Sequence, residues 1–343
     1  MSELQPMKMR VEVEQLSLKA PFRISGYTFK EVPVAVVTLS SGDASGRGEA
    51  AGVYYLDDTP DGIVRTLEAN RAAIERGIDR ERLQQLLPAG GARNAVDCAL
   101  WELEAQRAGR PVWQLAGLDQ AIPRVTTFTM GADDPETVAR GARSVFHAQA
   151  IKLKLDGDLN TDIARVRAAR AARPEVWLGV DANQGYSLPK LKDLLPALIE
   201  ARVRLLEQPL PRGREADLEG LNSPIPVAAD ESLQGLADVA GLVGRFNVVN
   251  IKLDKCGGLT EALLIANEAR RLGLQVMVGN MVGTSLAMAP AFVLAQLCDY
   301  VDLDGPSFLA SDRTPGVRYD GGSIHCDERV WGGGKTFARP QVL

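Results

Sequence analysis

Short apolar runs, each ending in a charged or polar side chain, recur through the second half of the chain. They occupy 151–154, 176–183, 205–209, 227–232 and 248–253, with polar ends at Lys154, Asp181, Glu207, Asp230 and Lys252. Successive ends lie 27, 26, 23 and 22 residues apart. That is the length of one strand, one helix and two short loops. Continued to eight, the period predicts an α/β barrel of alternating strands and helices, with side chains at the C-terminal strand ends lining its mouth. Strand one is placed at 124–129, strand two at 150–155, strand seven at 275–280 and strand eight at 300–304. The alanine- and leucine-rich stretch 260–272 is one of the intervening helices.

The first third reads differently. Residues 9–19 alternate, with Val11, Val13, Leu16 and Leu18 separated by polar positions, as in a half-buried strand. A loop is expected at 21–31, a second strand at 32–39, a turn at Ser41-Gly42-Asp43 and a third strand from Gly46. Asp58-Thr59-Pro60-Asp61 supplies a cap, an early proline and an early acid, so a helix should start there and run to about Gly77. A further helix is expected over 92–107. Strands followed by helices make an α+β domain. The division expected is 1–120 for this capping domain, 121–315 for the barrel and 316–343 for a return segment packing on the capping domain.

Composition narrows the function more than the fold. At 343 residues the chain has room for a barrel of about 250 residues plus a smaller domain. A formal net charge of −5 argues against nucleic acid as a partner. The four cysteines, Cys98, Cys256, Cys298 and Cys326, show no Cys-x-x-Cys pair and no zinc spacing, and read as free thiols. The first residues carry Glu3, Lys8 and Arg10 and lack an apolar leader. The most apolar stretch, 274–297, is broken by glycines and Pro290, which suits a strand and helix better than a membrane span. The expectation is a cytoplasmic protein with no membrane partner.

The chemistry gathers at the strand ends. Lys152 and Lys154 share one face of their strand. Alone they read as solvated lysines on an edge strand; inside a barrel covered by helices they point inward, where burial and mutual repulsion lower a lysine's pKa towards that of a general base. Asp181, Glu207 and Asp230 end three consecutive strands. Asp230 alone could cap a helix, but three acids held together repel unless a cation neutralises them. An all-oxygen set with room for water and substrate suits Mg2+. Asn183 shares a face with Asp181 and is expected to hold that ligand. Lys252 lies across the barrel from strand two, so two lysines flank the metal and can serve the two faces of one carbon, through an enediolate formed from a carboxylate substrate. Lys255 reads as a surface lysine. Asp302 and Asp304 end strand eight either as turn formers or as receptors for a substrate ammonium group. His147, on a helix before strand two, and His325, in the tail, are not at strand ends, which argues against a histidine base or a serine or cysteine triad.

These residues resemble the enolase superfamily, in its muconate-lactonizing-enzyme subgroup, for which a lysine or histidine base working with Mg2+ is a known pattern. The motifs are Lys152-Leu-Lys154, Asp181-Ala-Asn183, Glu207-Gln-Pro209, Asp230-Glu-Ser232 and Asn250-Ile-Lys252. Asp302-Leu-Asp304 is similar to the dipeptide epimerases, and the runs 250–261 and 87–94 to L-Ala-D/L-Glu epimerases. The resemblance implies a (β/α)7β modified TIM barrel with an N-terminal α+β capping domain. It implies a Mg2+-dependent epimerase that inverts the α-carbon of the C-terminal residue of an L,L-dipeptide by two-base proton transfer, with peptidoglycan turnover as a source of substrate. Lys154 and Lys252 are then the acid/base pair, Lys152 assists at the carboxylate, Asp302 and Asp304 hold the α-ammonium, and Thr127 contacts substrate. A homo-oligomer is implied as well. Where some Ala-Glu epimerases carry arginines in the closing loops, this chain reads Ile24-Ser-Gly-Tyr-Thr-Phe29 and Gly52-Val-Tyr-Tyr-Leu56. The alternatives are another reaction of the subgroup (N-acylamino acid racemase, o-succinylbenzoate synthase or cycloisomerase) or a metal-stabilised binding protein without turnover.

Overall fold

The structure is a computed structural model and describes residues 5–24 and 27–334. The chain begins with an antiparallel sheet of β1 (Lys8–Ile24), β2 (Tyr27–Ser41) and β3 (Ala44–Ala50). Three helices follow: α1 (Pro60–Glu75), α2 (Arg80–Leu86) and α3 (Gly91–Ala108). Helix α1 starts as its sequence predicts, with the Thr59 hydroxyl accepting from the Gly62 N–H and Pro60 in the first turn. Strand β2 alternates between two cores. Ala35, Val37 and Leu39 face the helices of this domain, whereas Val34 and Val36 join the core shared with the barrel. Strand β3 lies flush on α3: a Cβ on Gly48 would sit 2.0 Å from the Ala95 carbonyl oxygen.

The loop expected at 21–31 is a correction. The register shifts between Ser17 and Phe22, and the hairpin then resumes, pairing Phe22 with Phe29 and Ile24 with Tyr27. A bulge absorbs the break in alternation, so the strands continue past it. Residues 25 and 26 of that stretch lie outside the described residues.

After the short α4 (Val112–Leu115) and β4 (Arg124–Val125), eight parallel strands form the barrel. They are β5 (Thr127–Met130), β6 (Ala150–Lys154), β7 (Trp177–Asp181), β8 (Leu205–Glu207), β9 (Val227–Ala229), β10 (Val248–Ile251), β11 (Gln275–Val278) and β12 (Tyr300–Val301), in that spatial order. The helices around them are α5 (Pro135–Ser144), α6 (Leu159–Ala172), α7 (Leu188–Glu200), α8 (Val239–Leu242), α10 (Leu259–Arg271) and α11 (Ser285–Ala295), with a single turn, α9 (Leu253–Cys256), after β10. Alternate residues divide the strands: Ile151, Leu153, Leu178, Val180 and Leu206 pack outward under the helices. Leu205, Ala228, Val248 and Met277 fill the interior. No helix among the described residues is long and apolar enough to cross a membrane.

Expected strand one is two pieces. Arg124–Val125 pairs with β14 (Ser323–His325) of a hairpin whose other strand is β13 (Arg318–Asp320), and only Thr127–Met130 enters the barrel. Thr126 marks the change, its N–H donating to Gly322 O at 3.1 Å. The return segment therefore first packs on the barrel. It then reaches the capping domain, where the Trp331 indole donates to Arg47 O at 2.9 Å. Residues 335–343 lie outside the described residues. His147 sits beyond the end of α5, edge-on to Phe128 at 5.1 Å, rather than on a helix.

The barrel closes at one seam without a ladder. Among the described residues no backbone pairing joins β5 to β12. Side chains join them instead: Thr127 Oγ1 donates to Asp302 Oδ1 at 2.5 Å, the Thr129 N–H to Asp304 Oδ2 at 2.6 Å, and the Leu303 N–H to Thr126 Oγ1 at 2.9 Å.

Candidate active site

Register places the first part of the site. Lys154 is level with Asp181 on the neighbouring strand, and Asp181 with Glu207 on the next. All three side chains alternate with outward Leu153, Val180 and Leu206, so they point into the barrel mouth. Asp230 follows one residue beyond β9. One carboxylate oxygen from each of Asp181, Glu207 and Asp230 lies within 4.8 Å of the others, and all three residues are buried. Three carboxylates with no sulfur or imidazole suit a hard divalent cation such as Mg2+.

Lysines surround these acids. Lys152 Nζ lies 2.7 Å from Glu207 Oε2, 2.8 Å from Asp302 Oδ2 and 3.1 Å from Asp181 Oδ2. Lys154 Nζ is 2.6 Å from Asp181 Oδ2, and Lys252 Nζ is 2.7 Å from Asp230 Oδ2. Burial opposes charge at every group. At Asp181 it is outweighed by Lys154 and Lys152, and at Asp230 by Lys252 and Lys255, so both carboxyls stay below their ordinary range. Glu207 is raised by burial and by the charge of Asp181, because the nearby Lys152 ammonium is shared among three acids.

The lowering expected at Lys152 is corrected. Burial pulls Lys152 and Lys252 down, but Asp302 and Glu207 at the first and Asp230 at the second outweigh it and hold both well above the ordinary value. Among these lysines, burial does prevail at Lys255, whose pKa is lowered. That residue is also a correction, since the sequence places it on the surface. It is 3% exposed, and its Nζ donates to Asp230 Oδ1 at 2.6 Å and to Asn250 O at 3.1 Å. Turn α9 brings it back under β9, three residues after Lys252.

Other support was not read from the sequence. Asn250 Nδ2 donates to Glu207 Oε1 at 2.8 Å. Gln208 Oε1 accepts from the Asp230 and Ser232 N–H groups at 2.9 and 3.1 Å, and its Nε2 donates to Ser232 Oγ at 2.8 Å. Gln208 thus clamps the end of β8 to the end of β9. The signal was present in the middle position of Glu207-Gln-Pro209, the last of Asp230-Glu-Ser232 and the first of Asn250-Ile-Lys252. Asn183 holds Asp181, but through its backbone N–H (3.0 Å to Oδ1), not its side chain, whose Oδ1 is buried without a partner. Its positive φ of 42° shows that the chain has already left the strand.

Above the acids lies a cavity of about 410 Å3 lined by Lys154, Lys252, Asp230, Glu231 and Asn183 on the barrel side. The capping domain contributes Phe22, Phe29, Tyr54 and Tyr55. Tyr54 meets Tyr27 and Phe29 edge-on at 4.5 and 5.4 Å. No arginine lines this cavity among the described residues. Tyr55 OH, Asn183 Oδ1 and Glu231 Oε2 are buried there without hydrogen-bond partners, so the cavity offers unused polar groups beside an aromatic wall. Gly279 keeps space open: a Cβ there would meet Asn250 Oδ1 at 2.7 Å and Lys252 Cε at 3.1 Å. Thr127, Asp302 and Asp304 lie at the seam, beside Lys152. Burial and the charge of Asp302 push Asp304 up to about 7, whereas Lys152 offsets burial at Asp302 and keeps it low.

Comparison with known proteins adds to this geometry. Residues 7–117 match the N-terminal domain of the mandelate racemase / muconate lactonizing enzymes, and residues 136–332 match the enolase C-terminal domain-like model. The L-Ala-D/L-Glu epimerase of Escherichia coli K12 is 37% identical over 92% of this chain and 99% of its own. The N-acetyl-D-glutamate racemase of a Pseudoalteromonas species is 40% identical over 80% of this chain and 87% of its own. An enolase family member from Agrobacterium tumefaciens with homology to dipeptide epimerases, solved with sodium and L-Ala-L-Glu bound, matches with a TM-score of 0.91 and 39% identity, over 95% of this chain and 100% of its own. Other similar dipeptide epimerase structures contain Mg and a dipeptide.

Proposed function

Because the chain belongs to the mandelate racemase / muconate lactonizing enzyme family, we propose that it is a Mg2+-dependent dipeptide epimerase, an isomerase that inverts the α-carbon of the C-terminal residue of an L,L-dipeptide. The observation that carries this reading is the pair Lys154 and Lys252. They come from β6 and the end of β10, four strands apart in an eight-stranded ring, and both line one cavity beside the acids. Two lysines on opposite sides of one carbon, one as a neutral amine that takes the proton from one face and the other as an ammonium that gives a proton to the opposite face, can invert that carbon. Asp181, Glu207 and Asp230 would hold the metal. When bound, it supplies positive charge to the substrate carboxylate, which makes the adjacent α-proton more acidic.

The other residues follow from this arrangement. Lys152, shared among Asp181, Glu207 and Asp302, stands where it can donate to the carboxylate. Asp302 and Asp304 face the dipeptide's α-ammonium, with Thr127 beside them. The aromatic wall without arginine supports a neutral C-terminal side chain at least as well as glutamate. If L-Ala-L-Glu is the substrate, peptidoglycan turnover is its source, and the reaction belongs in the cytoplasm. A homo-oligomer is the assembly we expect.

A second reading, racemisation of an N-acylamino acid, is favoured by one similar protein named an N-acetyl-D-glutamate racemase and by the state of strand eight. Asp302 already receives Lys152 and Thr127, and Asp304 receives Thr129. A substrate without an ammonium group therefore leaves neither acid unpartnered.

The test is proton NMR in D2O with Mg2+ and a panel holding L-Ala-L-Glu, L-Ala-L-Phe and N-acetylglutamate. Loss of the C-terminal α-proton signal with growth of the L,D diastereomer is expected for dipeptides. Exchange confined to N-acetylglutamate would transfer the proposal to the second reading. No exchange in any of them leaves a binding protein without turnover.

A further inference from the structure

Turn α9 does more than carry lysines. Lys252 and Lys255 point to Asp230, while Asp254, one of the two residues between them, points to the capping domain. Its carboxylate is buried, and Oδ1 accepts the Gly52 N–H at 3.0 Å. This hydrogen bond joins the loop 51–58 to the barrel. The loop's other end is fastened within its own domain, where Asp58 Oδ2 accepts the Gly91 N–H at 2.7 Å. Between the two attachments the chain folds tightly. Gly52 has φ of +73°, and a Cβ on it would sit 2.2 Å from Asp58 O. The short turn Tyr54–Leu56 then presents Tyr54 and Tyr55 to the cavity.

Turn α9 is itself held on its C-terminal side. Arg93 Nη2 donates to Cys256 O at 2.6 Å, and Asp97 Oδ2 accepts the Thr260 N–H at 2.9 Å. The bond to Gly52 therefore hangs from a fixed support.

We infer that Asp254 is a positioning residue that sets the aromatic wall of Tyr54 and Tyr55 against Lys252, two residues away on the same turn. A displacement of the loop changes the distance between wall and acid/base lysine directly, because the bond has no intervening side chain on the loop. Burial, opposed by the Gly52 N–H, pushes the Asp254 carboxyl up to about 7. A neutral side chain of the same shape keeps the acceptor, which makes Asp254→Asn the conservative variant.

The kinetic part of the test rests on the epimerase reading; the exchange part does not. In Asp254→Ala, amides within 51–58 should exchange with solvent about tenfold faster, the effect of losing roughly one hydrogen bond's stabilisation. Mg2+ affinity measured by calorimetry should stay within about twofold, and KM for the best dipeptide should rise about tenfold with kcat within about threefold. Asp254→Asn should keep exchange and KM within about threefold of wild type. Unchanged exchange at 51–58 in Asp254→Ala overturns the inference. So does a parallel loss of Mg2+ affinity, which would mean that the whole turn had moved. If the alanine variant does not fold, Asp254→Ser carries the same measurements. If wild type turns over no dipeptide, the function proposal falls while the exchange result still decides the tie.

Discussion

The two sides of the cavity are built in different ways. The barrel side carries Asp181, Glu207 and Asp230 on the ends of consecutive strands, each acid bonded to at least one buried amine or amide. The capping side carries Phe22, Phe29, Tyr54 and Tyr55 on a hairpin end and a single helical turn, held mainly by ring contacts. The first is a network in which each group has a fixed partner, and moving one leaves another buried and unpaired. The second is an apolar surface whose members can shift by a rotamer at small cost. Chemistry that needs sub-ångström placement belongs on the first side, and substrate choice on the second.

Substitutions on both sides test this contrast. The largest effect is expected at Lys252→Ala and Lys154→Ala. Each should lower turnover about 10^3-fold or more in the NMR assay, since a positioned acid/base group contributes about 10^2 to 10^4. A loss below tenfold at either would break the contrast at its strongest point. Next comes Lys255→Met, which strands Asp230 Oδ1 and two carbonyl groups in a buried site. It should cost about 3 kcal/mol of stability in urea titration without added metal, as breaking a buried pair from one side does. Tyr54→Ala in the same titration should cost about 1 kcal/mol, because Tyr54 is only half-buried. The smallest effect is kinetic: Tyr54→Ala should raise KM about tenfold for L-Ala-L-Phe, less for L-Ala-L-Glu, with kcat within about threefold. An equal fall in kcat would give the wall a part in the chemistry.

How much of this was legible in the sequence follows the same division. The period of polar strand ends, from Lys154 to Lys252, is a local pattern, and it locates both the barrel and the acids. Lys255 is not legible in the sequence, because its burial is not local. A lysine three residues past a strand end has no apolar neighbour pattern to mark it, and only the bend of α9 returns it to Asp230. In the sequence the hairpin beyond Ser17 has the pattern of a loop because the bulge interrupts the alternation, although Phe22 and Phe29 resume it. Strand one has a continuous pattern because Arg124 to Thr129 holds no turn former, whereas its split is imposed from outside by the hairpin 318–325. The inverse error, at the lysines, is electrostatic. Like-charge repulsion follows from the Lys-x-Lys spacing, but the number of carboxylates that each ammonium meets depends on the whole ring.

The seam between β5 and β12 carries a consequence of its own. Seven of the eight strand junctions are ladders of amides, while the eighth is fastened by the side chains of Thr126, Thr127, Asp302 and Asp304. The barrel is therefore a hoop with a clasp, and its breathing motions should begin there, with the amides of Tyr300–Val301 exchanging sooner than those of β7 to β10. A ligand that draws the oxygens of Asp302 and Asp304 towards itself competes with Thr127 and Thr129 for the same lone pairs. Loading the barrel and loosening its hoop would then be one event.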